Sequence, residues 1–447
     1  MSIEHTLDSD IYTNKIEYFF TLLGPRFDLA VQLMEKSLEK HFGKKFKAIY
    51  VYSASPNEYF EKDNYIVLNA KALQVEDDLK TRTILLPEYE DINTEFSQSP
   101  FIQTIAKKLL KKQKGIFVYP FTSSFLKLCP SFKVIGANGD IVTYYDNKIN
   151  QYYLFKKLGL PVNEAHIFKT KNSLIKNWKK GLPCYLTAAY TSGGNESGLI
   201  FSREMLEKFL AGLRGVNLKQ SFMSARIFRN IVLAPNVNAI VIGKNQTKPL
   251  VITDQILRGN RYLGNIYPSK ATTEIQKEII DITTKVGDYL SIKGFRGLFG
   301  LDFLLNKDGK LVTVDLNPRR QGGYVCNIAA LAKCEVNLTD LELKACLNEP
   351  IKENLSLDRL VCPNAWAHSK IKPHDVGGVI SNEISHGDIN KIFEEGQGDY
   401  YSSFYAKDSI FIDGYIGYSV SVGQSYNQVF ENATLNANKV LGEVLFL

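Results

Sequence analysis

The 447-residue chain lacks an apolar run of about 18 residues, so no membrane span is expected. Its first residues, MSIEHTLDSDIY, carry acids where a secretory leader has a basic region followed by an apolar core. Cys129, Cys184, Cys326, Cys334, Cys346 and Cys362 are scattered, without the close spacing of a zinc knuckle or a redox pair, which points to reduced thiols in a cytoplasmic protein. The six histidines form no metal-spaced cluster, and neither a P-loop lysine motif nor a GxGxxG fingerprint is present, which argues against the commonest nucleotide folds. Lysine and arginine number 54 against 47 acids, a net charge of +7, with no block of five or six like charges. Neither nucleic acid nor a membrane is therefore an expected partner. The densest basic stretch, Lys107, Lys108, Lys111, Lys112 and Lys114, alternates with Ile105, Leu109 and Leu110 and reads as the solvated face of a helix.

What is present is enough apolar sequence, 45%, for several lobes around a substantial interior. In the first third, short β-branched or aromatic runs at 46–52, 65–68, 83–86 and 116–119 alternate with helical patterns, which predicts crossover units and a largely parallel sheet. Ser99 and Pro100 open one helix. Asp146 is a possible cap for another, which Gly159 and Pro161 would end, with Lys148 in its first turn. Strands are expected at 164–168, 183–190, 199–201, 222–228, 238–242 and 250–253, helices after Ser202 and over 273–290, a hairpin over 298–316, and a terminal helix over 426–445. No linker-like composition separates these parts. The chain divides into an N-terminal α/β domain (1–140), a small lobe with a glycine-bearing loop (141–225), a large lobe (226–350) and a C-terminal domain (351–447).

The hairpin carries the chemistry. Two apolar strands flank Asp308-Gly309, a pair that favours a two-residue turn. With those residues central, cross-strand partners sum to 617, so Asp302 faces Asp315. Like charges directly opposite each other destabilise a sheet, and these lie among Leu301, Phe303, Val314 and Leu316, where unpaired carboxylates are costlier still. A cation between them resolves the conflict. Asn317 emerges on the same face and adds a neutral oxygen, a donor set suited to magnesium or manganese completed by substrate phosphates. Arg319 and Arg320 follow, offering planar forks to phosphate or carboxylate. An exposed hairpin with two solvated aspartates is the plain alternative.

In order and spacing, Asp302 and Asp315-Leu-Asn317-Pro-Arg319-Arg-Gln321 resemble the ATP-grasp superfamily. The Asp146-Asn147-Lys148 helix start resembles its first nucleotide-binding lysine segment, and 183–198 its strand and glycine-rich phosphate loop. The resemblance spans roughly residues 133–348. The order of segments is similar to a subgroup that includes the pheganomycin peptide ligase and the butirosin-pathway ligase. It implies a mixed α/β and α+β fold, an ATP-grasp core with an N-terminal parallel-sheet lobe and an added C-terminal lobe.

The implied activity is ATP-dependent joining of a small-molecule or peptide carboxylate to an amine through an acyl phosphate, with a homodimer allowed. ATP would be held by Lys148, Thr187 and Arg226 and by the backbone of Ser192, Gly193 and Gly194. Asp302, Asp315 and Asn317 would hold Mg2+ or Mn2+, and Arg319 and Arg320 would act on the carboxylate. One position departs from the family: a second lysine usually stands where this chain has Thr187. Either Arg226, Arg258 or Arg261 supplies that charge, or nucleotide binding is weaker and the protein is a nucleotide-binding regulator or scaffold. His368 and Lys370 could border the site from the last lobe, although a packed or surface role fits them as well.

Overall fold

The computed structural model describes residues 3–7, 16–24, 27–52, 64–68, 92–178, 183–191, 196–213, 217, 220–371, 378–380, 384–404, 409–410, 417–442 and 444–446. The expected strand over 83–86 lies outside them. The N-terminal lobe is a six-stranded sheet ordered Glu4–Thr6, Tyr65–Val67, Lys45–Tyr52, Ile16–Thr21, Ile116–Tyr119, Phe132–Val134. Every neighbouring pair is parallel except the first. Alternation along its central strands explains why both faces are covered. Phe19, Ala48 and Tyr50 pack on Met34 and Leu38 of the helix Asp28–Phe42, whereas Tyr18, Phe20, Ile49 and Val51 pack on Phe96, Ile102 and Ile105. The helix Pro100–Leu109 begins as its sequence directs, with the Ser99 hydroxyl accepting from the Ile102 N–H at 3.3 Å.

A four-stranded antiparallel sheet follows, in the order Ala165–Phe168, Phe222–Arg226, Cys184–Ala188, Ser197–Ile200. Leu174 and Leu206 pack on its apolar side with Leu186 and Phe222. Ser202 caps the helix Arg203–Ala211 through the Met205 N–H at 3.2 Å.

The third sheet has ten antiparallel strands. Gly297–Asn306 lies near one end, flanked by Ile231–Leu233, Pro235–Gly243 and Leu311–Asn317. The sheet continues through Gln246–Arg258, Arg261–Tyr267, Ala365–Ile371, Gly417–Gly423, Gly398–Phe404 and Ile384–His386. The helix Thr273–Ile292 covers part of it through Ile279, Ile282, Val286 and Leu290. Strands of the last hundred residues thus extend the sheet that carries the hairpin, and Ala365–Ile371 pairs directly with Arg261–Tyr267. The terminal helix is shorter than its apolar pattern suggests, Tyr426–Gly442, with the strand Val444–Phe446 after it. All six cysteines are unpaired. No described helix is long and apolar enough to cross a membrane.

Candidate active site

Asp302 and Asp315 face each other across the ladder, as do Gly300 and Asn317. The route to that register is not the expected one. The hairpin closes with the Asn306 N–H on the Lys310 carbonyl at 3.1 Å, leaving a three-residue loop in which Gly309 is left-handed, φ +77°. The Asn306 side chain accepts from the Asp308 and Lys310 N–H groups at 3.1 and 2.8 Å. Partners near the turn are therefore offset by one, Phe303 facing Thr313. An irregularity between Asp302 and Phe303 then restores the offset, with Val314 as the extra residue. There the Thr313 N–H bonds the Pro161 carbonyl at 2.7 Å.

Asp302 is 8% exposed. Its carboxylate accepts from the amides of Asn236, of Asn317 at 3.1 Å and of Gln321 at 3.4 Å. Burial and the nearby charge of Asp315 push its pKa up to about 6. Lys148 meets the carboxylate of Asp315, forming a largely buried ion pair. That lysine is placed from two directions. Asn147, not Asp146, caps the helix Lys148–Lys157, accepting from the Ile149 and Asn150 N–H groups at 3.0 and 3.3 Å. Asp146 instead ends the preceding helix, Gly139–Tyr145. One turn on, Gln151 pairs with both backbone groups of Leu316, at 2.6 and 3.0 Å, and so locks the helix onto the strand bearing Asp315.

The two arginines diverge. Arg319 lines the cleft, donating to the Asn317 side-chain oxygen at 2.8 Å and to the Arg320 carbonyl at 3.1 Å, with Asp146 at 4.0 Å. Burial raises the pKa of Asp146, and the charges of Arg319 and Lys148 offset part of that shift. Arg320, expected to act on substrate, points the other way. It is 4% exposed, bonded to Glu342 at 2.6 Å and to the carbonyls of Pro120 and Ile135, and lies over the rings of Tyr119 and Tyr324. It is a structural arginine at the seam between the first lobe and the large lobe.

Above the carboxylate pair lies a cleft of about 620 Å³, within the range of small-molecule sites. Its roof includes Tyr185, Thr187, Met223 and Arg226 from the four-stranded sheet. Thr187 is buried and donates to the Ala188 carbonyl at 3.2 Å. Of the three arginines considered as substitutes for a roof lysine, Arg226 borders the cleft; Arg258 and Arg261 flank a turn whose Gly259 and Asn260 line it. Asn260 reaches the roof through the Ser197 carbonyl at 3.1 Å. Ser192, Gly193 and Gly194 lie outside the described residues.

The floor holds groups whose roles the sequence did not disclose. The Asn236 oxygen accepts from Asn238 at 3.1 Å, Thr253 at 3.3 Å and Asn265 at 3.4 Å, and Asn265 also donates to Thr253 at 2.9 Å. Tyr262 donates to the Asn265 oxygen. The signal for these residues is a string of amides and hydroxyls inside apolar strands, a pattern that requires partners. Lys370 also lines the cleft. His368 is fully buried, and neither ring nitrogen has a hydrogen-bond partner among the described residues.

Residues 203–323 match the ATP-grasp domain model. Over 69 residues the chain is 38% identical to an L-propargylglycine–L-glutamate ligase of Streptantibioticus cattleyicolor, covering 15% of this chain and 14% of that protein. Over 196 residues it is 21% identical to the carbamoyl phosphate synthase large chain of Methanosarcina barkeri, covering 42% of this chain and 17% of that one. These matches therefore span less than a fifth of either relative. Among solved structures, a biotin carboxylase from Campylobacter jejuni in complex with an ATP analogue superposes with TM-score 0.69 at 16% identity, covering 97% of this chain and 92% of that one. An N5-carboxyaminoimidazole ribonucleotide synthetase from Thermotoga maritima gives 0.59 at 15% identity, with 96% and 99% covered. The chain has the ATP-grasp fold, with an ATP-grasp domain match across the strands that build the cleft floor.

Proposed function

We propose that the protein is an ATP-dependent carboxylate–amine ligase that forms an amide, peptide-type bond and releases ADP and phosphate. The observation that carries this reading is the facing pair of buried Asp302 and half-buried Asp315, with Lys148 on one carboxylate and Arg319 beside Asn317, at the base of a cleft large enough for a nucleotide and a second molecule. A divalent cation fits the donor set. Two facing carboxylates, one with its pKa raised by burial and by the other's charge, present oxygen ligands beside the Asn317 amide, and added positive charge would relieve their repulsion. Bound there, magnesium or manganese would neutralise phosphate charge during transfer.

Lys148 and Arg226 would bind the phosphates of ATP, with Thr187 and the 192–194 backbone closing from above. Arg319 would orient the substrate carboxylate and hold charge on the acyl phosphate oxygens. A carboxylate oxygen attacks the γ-phosphorus and ADP leaves. The amine nitrogen then attacks the carbonyl, phosphate departs with the bonding pair, and the nitrogen's proton passes to water. Unpaired cysteines suit the cytoplasm, and the substrates are small molecules or peptides.

Incubation with MgATP and panels of acids and amines tests the reading through ADP release and the mass of the product. Asp315→Asn is expected to abolish release, by ~10³-fold or more, while the circular dichroism spectrum stays unchanged; undiminished release removes the role given to the pair. The neutral Thr187 favours a second reading, a nucleotide-binding regulator, in which nucleotide binds and no acid or amine stimulates ADP formation.

A further inference from the structure

The three groups proposed to hold a divalent cation already have partners within the chain. Lys148 lies on Asp315 in an ion pair whose side chains are 9% and 25% exposed. Asp302 accepts from the amides of Asn236 and, at 3.1 Å, of Asn317. Asn317 in turn keeps its side-chain oxygen on Arg319 at 2.8 Å. Each group assigned to the metal thus has a donor of this chain against it, and Lys148 brings the positive charge that facing carboxylates require. The pair is compensated by the protein's own cation.

Lys148 is poorly placed for a purely structural lysine. It opens the helix Lys148–Lys157, where the positive end of the helix dipole disfavours an ammonium. Its backbone N–H donates at 2.7 Å to the Ala189 carbonyl, just past the roof strand Cys184–Ala188, and Gln151 fixes the helix against Leu316. The backbone is therefore held between roof and floor, while the four-carbon stem can re-aim its three donors. A dication on Asp315 and an ammonium on the same carboxylate repel each other strongly in a site this buried. The two cations compete for Asp315. Nucleotide phosphates shift that competition, because they offer the ammonium charge-assisted acceptors of its own.

We infer that Lys148 is a placeholder cation: it occupies Asp315 until nucleotide phosphates draw it away, so that the divalent ion enters with the nucleotide and not before it. The inference rests on the reading above that the facing aspartates hold that ion. It makes metal and nucleotide affinities rise together, with one lysine as the link between them.

The test measures Mn2+ binding to the full-length protein by electron paramagnetic resonance of the free ion, so no turnover is needed. Titrations are run without nucleotide and with saturating ADP, allowing for the complex that ADP forms with Mn2+ in solution. In the wild type, ADP is expected to tighten Mn2+ binding by on the order of 10- to 100-fold, and Mn2+ to tighten ADP binding by the same factor. Phosphate oxygens that join the coordination contribute to that coupling, so the decisive comparison is the one without nucleotide. There Lys148→Met and Lys148→Gln are expected to bind Mn2+ roughly tenfold or more tighter than the wild type, although both lose ADP affinity. Lys148→Arg, which keeps the charge, is expected to stay near the wild type. Arg226→Met removes a cation from the roof of the same cleft and is expected to change Mn2+ affinity by less than about threefold.

Neutral variants at 148 that gain nothing overturn the inference. So does a gain matched by Arg226→Met, a gain that survives added Asp315→Asn, or a wild type that binds Mn2+ as tightly alone as with ADP. In the first and last of these cases the metal site itself stands. If neither the wild type nor any variant binds Mn2+ with ADP present, the metal site fails and the inference fails with it.

Discussion

Arg319 and Arg320 are adjacent residues on one turn, yet they occupy opposite environments. On the cleft side, Arg319 is partly exposed, touches Asn317 and has Asp146 at the edge of ion-pair distance. On the seam side, Arg320 is sealed beneath Tyr119 and Tyr324, with Glu342 and two carbonyls as partners. Glu342 is 1% exposed; burial raises its pKa, and the Arg320 charge with the two tyrosine hydroxyls opposes that shift. What separates the two is charge pairing, although the Arg320 Nε is itself buried without a hydrogen-bond partner among the described residues. Each guanidinium has five donors; around Arg320 the fold supplies a carboxylate and two carbonyls, while Arg319 retains capacity for a ligand. Chemically identical side chains thus end lining a cleft or sealed in a seam according to which counter-groups the rest of the chain delivers.

The largest expected effect lies on the seam. Glu342→Ala leaves the Arg320 charge buried and unpaired, a loss of ~3–5 kcal/mol, measurable by urea unfolding. The double replacement of Arg320→Met with Glu342→Leu is expected to cost less than Glu342→Ala alone, since no charge is stranded. A double variant worse than the single would show that the pair does more than fill the seam, and the contrast with Arg319 would collapse. On the cleft side the order reverses. Arg319→Ala is expected to leave unfolding nearly unchanged and to lower kcat/KM for ligation by ~10²- to 10³-fold, with a much smaller change in MgADP affinity by calorimetry. Equal ligation by the variant removes Arg319 from the site.

Much of this arrangement was legible because it is local. Caps at Ser99 and Ser202, alternation in the first sheet and the two strands of the hairpin are written in residues a few positions apart. The facing aspartates are more instructive. A two-residue turn gives the observed pairing, but the chain reaches it through a three-residue loop and a compensating extra residue at Val314, so two one-residue shifts cancel. The first is set by Asn306, whose side chain gathers the turn's N–H groups, and the second accompanies a bond from Thr313 to Pro161. Neither is visible in hydrophobic spacing. The sequence around Arg320 does not show its partners, which lie 200 residues away for Pro120 and 185 for Ile135. Asp146 loses the cap to Asn147 because the preceding helix ends on it.

The strand Ala365–Ile371 repeats the contrast more weakly. His368 and Lys370 point to the same face, two residues apart, but Lys370 lines the cleft while His368 is buried opposite Asn265 and Val420 with its nitrogens unpaired among the described residues. Burial, reinforced by the charge of Lys370, pushes the imidazole pKa down to about 3. The Tyr418 ring lies 5.1 Å away. Because the folded value lies below the unfolded one of about 6.5, the unfolded chain binds the extra proton between those values, and stability falls as pH falls. The loss begins near pH 6.5 and grows by ~1.4 kcal/mol per unit until the folded pKa is reached. His368→Phe is expected to remove that share of the slope, so that urea midpoints of wild type and variant diverge between pH 7 and pH 5. Parallel curves would mean that the folded imidazole takes up its proton over the same pH range as the unfolded one, and the buried part of this face would then be as open to a counter-ion as the part that lines the cleft.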